Sequence, residues 1–138
     1  MNTAYLIGNL FGAVIGSALG ALVGGLLLMW LVKVVAKFKP PYREAYLAAF
    51  VGGVVTYLIG FVYGFIVGRN GSEISTAGYL VLTVVGFLVY AALVGQMIEH
   101  PETGRIGFGK ACLVSLLAVL VVAVVAMAAA LIVAFVIR

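Results

Sequence analysis

The sequence predicts an all-α fold, a polytopic membrane protein built as a bundle of four transmembrane helices. Three observations carry this expectation. Of the 138 residues 66% are hydrophobic and only 9% are charged, where a soluble domain holds about 25% charged residues. The charges fall in short clusters that leave four long uncharged runs between them. The last of them, through residues 119–137, is apolar on every side and does not alternate. A short chain leaves a large share of its surface exposed, so a mean hydropathy of +1.32 implies that the solvent is largely lipid. A helix crosses the hydrocarbon core with about 20 apolar residues. This places spans at residues 5–32, 45–68, 76–98 and 111–137, in one transmembrane domain covering 1–138.

The first span precedes any charged residue and contains Gly8, Gly12, Gly16, Gly20 and Gly24, a glycine at every fourth position. In a helix in water each costs about 1 kcal/mol relative to alanine, so the row needs a physical reason. Lipid tails are as apolar as leucine, and helices in lipid associate by close packing and hydrogen bonds. A row lacking side chains is a groove for a second backbone. At 1.5 Å per residue the groove is about 24 Å long, most of the hydrocarbon thickness, and a partner is expected to cross at about −40°. MNTAYLIG has no basic stretch and the apolar run is long for a signal peptide, so a cleaved leader is not expected.

KVVAKFKPPYRE (33–44) follows, with Lys33, Lys37, Lys39 and Arg43 interleaved with Phe38 and Tyr42. Such a segment suits anionic headgroups, at about 1 kcal/mol per basic residue near the surface. Pro40 and Pro41 stiffen the turn and start the next helix. The second span repeats the four-residue row as Gly52, Thr56, Gly60, Gly64 and Gly68. The simplest arrangement is an antiparallel hairpin packed groove to groove. The alternative turns the first groove outward, toward another copy or another protein. Asn70-Gly71-Ser72 has the form of a glycosylation sequon, but in so short a loop it reads as the end of span two and the cap of span three.

The third span is sparser in glycine, with Gly78, Gly86 and Gly95. The next loop brings Glu99, His100 and Glu102 together, yet HPETG reads as a turn, and no metal site is expected. GRIGFGKA (104–111) approaches the phosphate-loop spacing, but Ala111 stands where a magnesium-holding hydroxyl is required. It reads as a glycine-rich turn. Arg105, Lys110 and the first amides of span four suit a lipid phosphate. The fourth span lacks the alternation of a membrane barrel strand, and in lipid its amides must bond within the segment as a helix. It carries Ala118, Ala126, Ala130 and Ala134 in a row broken by Val122. A shift of 66 lays YREAYLAAF (42–50) on FGKACLVSL (108–116), Gly12 on Gly78 and Gly20 on Gly86. That suggests two tandem hairpins related by an axis along the membrane normal.

Six of the eight basic residues lie in 33–44 and 99–110, the others being Arg69 and Arg138. The positive-inside rule makes both richer loops cytoplasmic and both termini external, and the charge loading suits a bacterial inner membrane. Trp30, Tyr42 and Tyr46 on one side, with Tyr5 and Tyr79 on the other, fit aromatic belts. The pI near 9.4 therefore reflects topology and lipid contact, and no nucleic-acid partner is expected. The lone Cys112 allows no internal disulfide.

No Asp, Glu, Lys, Arg or His stands inside a span, where such groups mark ion paths and proton relays. The four-span size is similar to that of the small multidrug resistance transporters, and the glycine row to the proteolipid subunits of rotary ATPases. Both families depend on a membrane-buried carboxylate, which this chain lacks. Ser17, Ser115 and Cys112 have no partner base nearby in sequence, so neither an enzyme nor a cofactor is expected. Thr56, Tyr57, Thr83 and Tyr90 are the place to look for a polar cavity. The expected function is that of an integral membrane interaction protein, a small subunit, scaffold or assembly factor, through self-association or a larger complex. The alternatives are a homo-oligomeric channel or facilitator for a small solute and, more weakly, an anionic-lipid-binding module. The packing residues would be the two small-residue rows, Gly8 to Gly24 and Gly52 to Gly68. Those at the headgroups would be Lys33, Lys37, Lys39, Arg43, Arg105 and Lys110.

Overall fold

The computed structural model describes residues 3–69 and 75–136, with side chains described over 7–69 and 75–135. The described residues form four helices: α1 (Thr3–Ala36), α2 (Tyr42–Arg69), α3 (Thr76–Met97) and α4 (Phe108–Val136). There is no strand among the described residues. Each helix is long and apolar enough to cross a membrane. The protein is a multi-pass helical membrane protein.

Three of the helices run past the uncharged stretches. Lys33 sits in the last turn of α1, Arg43 in the first turn of α2 and Lys110 in the first turn of α4. Long basic side chains keep their heads in water while their stems cover apolar surface, so a helix end tolerates them. α1 stops where Lys37 takes φ 60°. This is the left-handed residue that ends many helices, here without the usual glycine. Pro41 then caps α2, its carbonyl accepting from the amides of Glu44 at 3.1 Å and Ala45 at 3.3 Å. Ser75 caps α3, its Oγ accepting from the Gly78 amide at 3.1 Å, as N-cap residues do. The capping role thus falls three residues beyond the sequon Asn70-Gly71-Ser72, which lies outside the described residues. Gly104 (φ 76°) and Gly107 (φ 85°) supply the two backbone reversals between α3 and α4.

The helices form a ring. α1 packs on α2, α2 on α3, α3 on α4 and α4 back on α1, and among the described residues no diagonal pair brings its backbones within 8 Å Cα to Cα. The core lies at one end of this ring. Buried residues begin at Ala21 in α1 and end at Gly52 in α2. They begin at Gly86 in α3 and end at Ala118 in α4. Pro40, Ile98 and Ile106 close the core from the loops. At the other end no described residue is buried, and the described side chains of α4 beyond Val121 are all exposed.

The two hairpins share most of their buried positions. Tyr42 and Phe108, 66 residues apart, open α2 and α4. With that shift Gly25 and Ala91, Leu28 and Val94, Val32 and Ile98, and Pro40 and Ile106 are buried in pairs. So are Ala45 and Ala111, Ala48 and Val114, Ala49 and Ser115, and Gly52 and Ala118. The shift therefore relates core positions to core positions across both helices of each hairpin. The Ser115 hydroxyl is fully buried without a hydrogen-bond partner among the described residues, at the position that Ala49 fills in the first hairpin.

Candidate functional site

The packing face of α1 is built from the residue upward by its 3.6-residue period. Ala21, Gly25, Leu28 and Val32 are buried, and their mixed spacing of four and three keeps them on one side. A strict four-residue row advances about 40° per step around the helix. From Gly8 to Gly24 that adds to about 160°, so the row leaves the core face as it runs toward the N-terminus. The structure follows this geometry. Gly24 is half-buried, and a Cβ added there would lie 3.6 Å from the Ala49 Cβ. Gly8, Gly12, Gly16 and Gly20 are exposed, with nothing within 4 Å of an added Cβ. Contact with α2 at this level comes from Ser17, whose Oγ would lie 3.5 Å from a Cβ at Gly53.

The groove-to-groove hairpin is thus confined to the end near Gly24, and its closest approach uses a glycine outside the row. A Cβ at Gly25 would lie 3.0 Å from the Tyr46 Cα. Tyr42 reinforces this contact by donating its hydroxyl to the Leu22 carbonyl at 3.0 Å. On α2, Gly52 turns toward α3 and not α1: a Cβ there would meet the Tyr90 ring at 2.5 Å. Thr56 also faces α3, with its methyl 3.2 Å from a Cβ built at Gly86. Gly60, Gly64 and Gly68 have open space within 4 Å. Between α3 and α4, Gly95 brings its backbone to the Ala111 methyl, which an added Cβ would approach to 3.1 Å. Gly25, Gly53, Gly86 and Gly95 are therefore the contact glycines that a search for four-residue rows passes over. The signal for Gly25 was the 4-3-4 spacing of small and apolar residues from Ala21 to Val32.

Thr56, Tyr57, Thr83 and Tyr90 each make a contact of their own. The Thr83 hydroxyl donates to the Tyr79 carbonyl of its own helix at 2.8 Å. The Tyr57 ring stacks along α2 on Phe61, with centroids 6.2 Å apart. Tyr90 fills the gap left by Gly52.

At the core end, Lys33, Lys37, Lys39, Arg43, Arg105 and Lys110 are all exposed. The two loops that carry them touch. The Phe38 and His100 rings meet edge to face with centroids 4.7 Å apart, and the Glu44 carboxylate accepts from the Glu99 amide at 3.3 Å. His100 Nδ1 accepts from the Glu102 amide at 3.2 Å, and the Gly104 amide donates to the His100 carbonyl at 2.9 Å. The ligand-like cluster is thus wound into a turn. Among the described residues no three His, Cys, Asp or Glu side chains gather as a metal site would require.

Fold and surface together define the class: a four-helix multi-pass membrane protein, closed at a basic end and open at the other. No protein-family model matches the chain, and no curated protein or solved structure matches it either.

Proposed function

We propose that this is an integral membrane interaction protein, a small subunit, scaffold or assembly factor that uses small-residue helix packing and performs no catalysis of its own. The observation that carries the reading is the open glycine face of α1. Gly8, Gly12, Gly16 and Gly20 are exposed, and a Cβ added at any of them would meet nothing within 4 Å. Four bare turns gain nothing for the isolated bundle, whereas they let a second backbone approach closely in lipid. The membrane is the bacterial inner membrane, with loops 33–44 and 99–110 in the cytoplasm. The six exposed basic residues at that end support this orientation.

Replacing Gly16 by Leu tests the reading because the new side chain meets nothing inside the chain. We expect Gly16→Leu to keep its helical circular dichroism and to lose its oligomer or copurifying partner in native mass spectrometry from mild detergent. Assembly indistinguishable from that of the unmodified protein refutes the interface.

A further inference from the structure

A cleft of about 200 Å³ opens between the end of α3 and the start of α4, lined by Ala92, Gly95, Gln96, Arg105, Gly107 and Phe108. Two of the lining residues are glycines. Gly95 lies against Ala111 with no room for a larger side chain. Gly107 holds φ 85°, which side chains disfavour. Its wall is apolar, formed by Ala92 on α3 and the exposed ring of Phe108 on α4. Its rim is polar: Gln96, the penultimate residue of α3, and Arg105 of the connecting loop are both exposed. A polar mouth over an apolar slot, where two membrane helices end, matches the two halves of a phospholipid.

Charge selects the headgroup. Lys110 and the basic residues of 33–44 surround this end of the bundle. The opposing carboxylates are Glu99 and Glu102, with Glu44 engaged by the Glu99 amide. The Arg105 guanidinium offers a planar fork of donors that fits a phosphodiester. The Gln96 amide supplies donors for an ester carbonyl.

We propose that this cleft binds one anionic phospholipid, with its phosphate on Arg105 and one acyl chain lying along Ala92 and Phe108. The site is separate from the open glycine face of α1 and does not rest on the interaction reading.

Native mass spectrometry of the whole chain, loaded with phosphatidylglycerol or phosphatidylcholine in mild detergent, tests this. We expect one phosphatidylglycerol retained per chain and about tenfold less phosphatidylcholine, since the choline cation faces a basic rim. Arg105→Gln should lower phosphatidylglycerol retention about fivefold or more by removing the bidentate donor. Ala92→Phe keeps every charge and fills the slot, and it should cause a comparable loss. Lys33→Gln, at the same end but outside the cleft, should stay within about twofold of the unmodified chain. Circular dichroism checks each variant's fold, and either cleft variant decides if the other unfolds. Unchanged retention in a folded cleft variant overturns the proposal. Equal losses in Arg105→Gln and Lys33→Gln overturn it in favour of diffuse surface attraction. Displacement of the lipid by millimolar inorganic phosphate overturns it in favour of a free anion.

Discussion

Glycines in the same helix differ in consequence according to what stands beside them. At Gly16 an added methyl meets open space, whereas at Gly25 it meets the backbone of Tyr46 at 3.0 Å. A backbone cannot swing aside as a side chain does. Gly16→Ala should therefore raise the stability of the isolated chain by up to about 1 kcal/mol, the propensity difference alone. Gly25→Ala should lower it by about 1–3 kcal/mol, the usual cost of overpacking. Unfolding titrations in mixed micelles measure both, and equal shifts of the same sign would contradict the placement. The two residues are separated by nine positions in one apolar run, and nothing in composition distinguishes them. Only the helical period does, by carrying Gly16 off the face that holds Gly25.

Within each helix, packing and partitioning occupy different stretches. The first turns of α4 bury Ala111, Val114, Ser115 and Ala118, while its described side chains past Val121 are all exposed. The alanine row from Ala118 to Ala134 therefore combines a core residue with exposed ones. Ala118→Leu should destabilise the chain by about 1–3 kcal/mol through overpacking. Ala126→Leu, at an exposed position, should stay within about 0.5 kcal/mol of the parent. The same micelle titration distinguishes them, and a large loss at Ala126 would place a neighbour there. The existence of α4 was legible from its unbroken apolar run, because a segment in oil must satisfy its own amides. Which half of it would be covered was not legible, because both halves are equally apolar.

For the whole molecule, the shift of 66 residues relates two hairpins that bury equivalent positions. The interface between them is continuous at the core end, with α2 against α3 and α1 against α4. Phe38 on His100 and Glu44 on the Glu99 amide tie the loops across it. The chain should therefore survive a cut between its halves. Residues 1–70 and 71–138, expressed together with one affinity tag, should copurify from membranes in equal amounts. Recovery of the tagged half alone would show that the covalent link, and not the interface, holds the hairpins together.

Composition, with the positions of the charges, determined a chain suited to lipid and folded as four helices. Transfer into hydrocarbon is a sum over residues, and backbone satisfaction is a property of each segment, so neither depends on a neighbour. Only the tertiary structure decided that α1 meets α2 through Gly25, that four of its row glycines stand open, and that Arg105 and Gln96 share a cleft. Contacts are set jointly by the phase, register and crossing of two helices, and a residue's own identity carries none of the three.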